Sequence, residues 1–212
     1  VVAFHFYKTK QNQLLPTTTA IPDNTNSMYL TRTSKPISDF TDSERAAFDK
    51  EFNERLKPAI DKWCNAYAGH LPFNSADVTE DKFHSTLQGG FYNFMLEDAT
   101  FTVLDNHHGV KVFYFMTKQA AHDLNSIPKN GQPRNLTVPI TAKEVVEMVK
   151  ADTGIEYEPK QIEISPTAAA SALDGGAFVE VNKKMLNGMQ LILQENLSFI
   201  VGADGKLVSY QH

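Results

Sequence analysis

Between residues 41 and 67 the apolar side chains Phe48, Phe52, Leu56, Ala59, Ile60, Trp63, Cys64 and Tyr67 recur at spacings of three and four. At about 100° per residue they gather on one side of a helix, while Lys50, Glu51, Glu54, Lys57, Asp61 and Lys62 gather on the other. Thr41 followed by Glu44 is a capping box: the hydroxyl takes an orphan amide of the first turn and the carboxylate reaches back to the cap amide. Gly69 supplies a stop. Pro58 removes one backbone hydrogen bond, which predicts a kink or a division into two collinear helices. Rings of this size need a broad apolar partner, and a sheet is the natural one.

The following residues supply it. Residues 91–96, 99–105 and 110–117 are rich in aromatic and β-branched side chains, the last two flanking Asn106-His107-His108-Gly109 as a hairpin. With those four residues as the loop, Val103 pairs with Val112, Phe101 with Tyr114, Thr102 with Phe113, and Thr100 with Phe115. Both faces then carry aromatics and both call for cover. Upstream, residues 1–7 read as a strand. Residues 8–39 are polar and broken by Pro16, Pro22 and Pro36, with a further strand at 28–33. Residues 79–87 read as a short helix ended by Gly89-Gly90, and 118–124 as a helical turn.

Three prolines and a glycine mark residues 126–139 as a connection. A second capping box, Thr141 with Glu144, opens a helix carrying Val145, Val146, Met148 and Val149, closed by Gly154. Strands are expected at 161–165, 178–181, 189–194, 197–201 and 207–210, the last two turning at Asp204-Gly205. Residues 167–173 and 182–186 read as short helices.

These elements predict an α+β fold in which a long amphipathic helix packs on a mainly antiparallel sheet. They divide the chain into a helix-plus-sheet unit over 1–128, a linker at 129–139 and a smaller α+β unit over 140–212. Both units run from a helix into antiparallel strands, without a residue-level repeat. In element order the first resembles a helix cradled in a curved sheet, the cystatin-like or NTF2-like arrangement; fold analogy alone carries no function.

Composition narrows the classes. A net charge of −5 with no Lys/Arg cluster argues against nucleic acid as a partner. No apolar run is long enough to span a bilayer. One cysteine forbids an internal disulfide. The opening Val-Val-Ala-Phe-His-Phe, without a methionine, fits a mature chain and points to an extracytoplasmic setting, periplasmic, envelope-anchored or secreted; the sequons at Asn135 and Asn196 would matter only on a eukaryotic secretory route.

Candidate chemistry is sparse. Cys64 with His70 has the residue types of a thiolate–imidazole pair, but Cys64 lies deep in the apolar face, where a thiol behaves as a small hydrophobe. His107 and His108, with His84 or His122, have the donors of a metal site without helical ligand spacing; no metal and no cofactor is expected. Asp49 and the Glu97-Asp98 pair offer carboxylates for acid–base work with nothing to bring two together. Gly175-Gly176 lacks phosphate-loop spacing. The aromatics Phe91, Tyr92, Phe94, Phe101, Phe113, Tyr114 and Phe115 serve either as core or as the lining of a ligand site.

The sequence therefore favours a non-enzymatic secreted or envelope-associated binding module. Its expected contact residues are His107, His108, Phe113, Tyr114 and Phe115, and its expected partner is a protein or a small apolar ligand. The alternatives are a hydrolase or lyase using His107 or His108 with a carboxylate, and a structural subunit whose strand edges are completed by neighbours.

Overall fold

The computed structural model describes residues 36–87, 90–120, 138–167, 176–181, 184–186, 189–191 and 197–212. The strands expected at 1–7 and 28–33, residues 129–137 of the linker, residues 168–173 of the helix expected over 167–173, His122, Asn135, Asn196 and Gly175 lie outside the described residues.

Helix α1 spans residues 42–66 and is 25 residues long. Its start follows the capping box: Glu44 N–H donates to the Thr41 hydroxyl at 3.3 Å, and Thr41 N–H donates to the Glu44 carboxylate at 2.7 Å. Pro58 does not divide it. A π turn over Phe52–Leu56, closed by Lys57 N–H on the Phe52 carbonyl, lies immediately before it. The wider turn gives room where the proline ring would crowd the Glu54 carbonyl. The same turn rephases the helix. In straight α geometry Phe48 and Cys64 would lie about 160° apart, at the two edges of the apolar side; the wider turn narrows that arc, and both are buried. Glu51, assigned by periodicity to the polar side, is in the interior at 6% exposure, in the α segment just before that turn.

The strands are β1 (Phe83–Leu87), β2 (Phe91–Met95), β3 (Ala99–Asn106), β4 (Gly109–Thr117), β5 (Ile162–Pro166), β6 (Ala177–Val181), β7 (Lys184–Leu186), β8 (Met189–Leu191), β9 (Leu197–Val201) and β10 (Leu207–Gln211). Helix α2 (Ala142–Thr153) precedes β5 and starts at the second capping box, Thr141 with Glu144; Gly154 at φ 78° ends it. Eight strands form one antiparallel sheet ordered β1-β2-β3-β4-β10-β9-β6-β5, and β7 with β8 forms a separate hairpin. The order is palindromic in chain terms. Each half lays down a helix and then strands from an edge to the centre, where β4 meets β10 through Met116–Ser209, Phe115–Tyr210 and Tyr114–Gln211.

One face of this sheet holds the core. Phe48, Phe52, Leu56, Ile60 and Trp63 of α1, with Tyr67 at its C-cap, form a single buried cluster with Phe94, Phe101, Val103 and Phe115 of the first half. The same cluster contains Val179, Phe199, Val201 and Tyr210 of the second half, with Val145 and Val149 of α2. Among the described residues, no helix is long and apolar enough to cross a membrane.

Three expectations are corrected. Only Glu80–Lys82 of the segment 79–87 is helical, as a 3-10 turn; Phe83–Leu87 is β1. Pairing with β2, and burial of Phe83 against the Phe48 ring at 4.5 Å, overrides local propensity. Residues 184–186, expected helical, are β7, paired with β8. The hairpin register holds at Val103–Val112 but then shifts, giving Thr102–Tyr114, Phe101–Phe115 and Thr100–Met116. Phe113 is the extra residue of a β-bulge, and its carbonyl accepts the His212 N–H at 3.0 Å. The shift sends Phe115 into the core and leaves Phe113 and Tyr114 half-buried.

Candidate functional site

The hairpin end is the first place where polar groups converge. His107 and His108 form the two-residue turn between β3 and β4, both exposed, their rings 3.9 Å apart. The Asn106 side chain accepts His108 N–H at 2.9 Å, and Gly109 takes φ 121°, a conformation that favours glycine. Beneath the turn the Asp105 side chain is fully buried and held in a fork by Arg55, whose Nε and Nη2 donate to its two oxygens at 2.9 and 2.7 Å. This charge-assisted pair ties α1 to the end of β3.

One turn earlier on α1, Glu51 Oε1 accepts the Tyr92 hydroxyl of β2 at 2.9 Å, while Oε2 is buried without a hydrogen-bond partner among the described residues. Burial pushes the Glu51 carboxyl above the ordinary range; the Tyr92 hydrogen bond and Arg55 oppose the rise and Asp105 adds to it.

A second polar cluster joins the two halves. Tyr67, which caps the C-terminus of α1, and Tyr210 of β10, both buried, donate their hydroxyls to Oδ2 of Asp152 on α2 at 3.2 and 2.7 Å. The Tyr210 proton is spent on Asp152, so its oxygen is left to accept from His212 Nδ1 at 3.3 Å. Burial raises the Asp152 carboxyl despite both tyrosines, and pushes the His212 imidazole down to about 4. Lys111 is also lowered by burial, with Asp152 countering.

The structure separates the residues singled out from sequence. Phe115 is fully buried, its ring 5.7 Å from Trp63 and 5.8 Å from Phe73. Phe113 stands edge-on to Phe91 at 5.2 Å, on the opposite face from the core. Tyr114 donates to the Met116 sulfur at 3.2 Å. Cys64 is buried and its thiol is pushed up to about 12 by that burial, which silences it as a nucleophile. His70 Nδ1 bonds the Gly205 carbonyl at 2.9 Å, and His84 is exposed on β1. Asp49 pairs with Arg45, which also reaches Asp81. Among the described residues, no three His, Cys, Asp or Glu side chains are grouped to hold a metal ion.

Sequence reasoning passed over Glu51, Arg55, Asp152 and Tyr210. The available signal was chemical rather than periodic: a helix carrying Glu51 and Arg55 four apart, with an acidic residue at the hairpin end. Comparison with protein families, curated proteins and solved structures finds no match for this chain. The cystatin-like or NTF2-like likeness of the first half therefore rests on element order alone.

Proposed function

We propose that this chain is a non-enzymatic binding module that takes a protein partner on the sheet face opposite the core, around Phe91, Phe113 and Tyr114, beside the His107–His108 turn. The observation that carries this reading is the Phe91–Phe113 edge-to-face pair on that side of the sheet, with Met95 42% exposed at the other end of β2 from Phe91. Aromatic and methionine side chains are the residue types that anchor protein contacts. A sheet face offers a broad surface, which suits a protein better than the enclosed cleft a small ligand needs. The carboxylate nearest the histidines in sequence, Asp105, is held by Arg55, which weighs against its use as a catalytic partner.

The reading is tested with 1-anilinonaphthalene-8-sulfonate, a probe of accessible apolar surface. The folded protein should enhance its fluorescence, and Phe91→Ser with Phe113→Ser should abolish the enhancement while the circular dichroism spectrum is kept. Absence of enhancement by the folded protein would count against an apolar contact face. A turnover of chromogenic ester, phosphate or glycoside substrates that His107→Ala with His108→Ala removes would replace the binding reading with an enzymatic one.

A further inference from the structure

We propose that the Glu51 carboxyl is a proton-operated switch on the tie between α1 and the β3–β4 hairpin. With the proton in place, Arg55 stays forked on Asp105; loss of the proton draws Arg55 toward Glu51 and loosens the hairpin end.

The geometry favours a neutral Glu51. The residue is 6% exposed and Oε2 has no hydrogen-bond partner among the described residues. An ionised carboxylate there would bury a charge with one oxygen unsatisfied, an expensive arrangement, whereas the acid form carries no such charge. The groups acting on it are Tyr92 from β2, Asp105 from β3 and Arg55 from its own helix. Two of these are already committed to each other, since Asp105, with its side chain fully buried, takes both Arg55 donors. A second carboxylate charge in the same space leaves two anions and one guanidinium. Arg55 is the group able to move, because its side chain is 42% exposed and flexible while Asp105 is fixed at the end of a strand.

The consequence falls on the hairpin. Asp105 N–H donates to the Gly90 carbonyl at 2.8 Å, and the next residues are Asn106 and the exposed histidines. Partial loss of the Arg55 fork leaves Asp105 buried with less compensation, so residues 104–109 open more readily. This device acts on the turn whatever that turn or the adjoining face binds, so it is independent of the proposed function.

The test joins two readouts on the intact chain across pH 4 to 9. The carboxyl carbon resonance of Glu51 should titrate above the ordinary carboxylate range, and amide exchange protection at residues 104–109 should fall on the order of tenfold with the same midpoint. Glu51→Gln, which mimics the protonated acid, should keep hairpin protection constant over the range. Tyr92→Phe removes a donor that favours the ionised form and should move both midpoints upward together. Ordinary titration of Glu51 would overturn the proposal. So would the same loss of protection in Glu51→Gln, or a carbon midpoint that moves in Tyr92→Phe without the hairpin following.

Discussion

Glu51 and Cys64 sit on one helix and show how burial changes what a side chain can do. Glu51 has its carboxyl raised chiefly by burial. A carboxyl with a folded-state value above its unfolded one favours folding while it holds its proton, and that contribution is lost as pH rises through the folded-state value. The wild-type chain should therefore lose stability relative to Glu51→Gln between the ordinary carboxylate range and the Glu51 midpoint. Urea unfolding at pH 4.5 and 8 should find the two nearly level at the lower pH. At the higher pH the amide variant should lead by about 1–3 kcal/mol, the usual cost of an unsatisfied buried polar group. Cys64 is a neutral counterpart, with its thiol raised to about 12 by the same cause and its side chain enclosed. Ellman's reagent should leave the folded protein unlabelled at pH 8 and label one thiol once urea unfolds it; rapid labelling without urea would contradict that enclosure.

At the scale of elements, the contrast between Thr41 and Gly90 separates local from non-local causes. Thr41→Ala removes one cap hydrogen bond and should cost about 1 kcal/mol. Gly90→Ala should cost more, because φ there is 83° and an added Cβ would meet the Asp105 carbonyl oxygen at 1.9 Å. A shift in thermal midpoint several times that of Thr41→Ala is expected; equal shifts would show that the Gly90–Asp105 contact gives way easily. This contrast also explains what was legible in the sequence. Both capping boxes and the buried face of α1 are written in spacings of three and four, so they could be read directly. The bulge at Phe113 could not, because it involves His212, whose N–H donates to the Phe113 carbonyl from the far end of the chain. The β1 segment read as a helix because its pairing partner and the ring under Phe83 lie elsewhere in the sequence. At the candidate site the His107–His108 turn was visible. Glu51 was not, since a charged helix position reads as solvated, and its partner Tyr92 lies on a strand 41 residues away.

At the scale of the whole molecule, the two halves meet along β4 and β10, and the same seam carries the junction of Trp63, Tyr67, Tyr210 and Asp152. Trp63 is the single tryptophan, and its ring lies 5.3 Å from Tyr210 and 5.4 Å from Tyr67, so its fluorescence reports on that junction. Tyr210→Phe keeps the ring and removes the shorter of the two hydrogen bonds to Asp152. The hydroxyl favours the ionised carboxylate, so its loss should raise Asp152 further and cost most when Asp152 is charged. By linkage, the Asp152 contribution is present at low pH and declines as pH rises through the folded-state value, and the variant should steepen that decline. A destabilisation of about 1.5–3 kcal/mol is expected at pH 7.5, the range for a hydrogen bond to a charged group, with a smaller loss at pH 4. Asp152→Asn should narrow the difference between the two pH values. Because Asp152 is on α2, Tyr67 at the end of α1 and Tyr210 on β10, unfolding followed by Trp63 fluorescence should coincide with that followed by far-ultraviolet circular dichroism in wild type and variant alike. Two separated transitions would mean that the shared core cluster does not couple the halves.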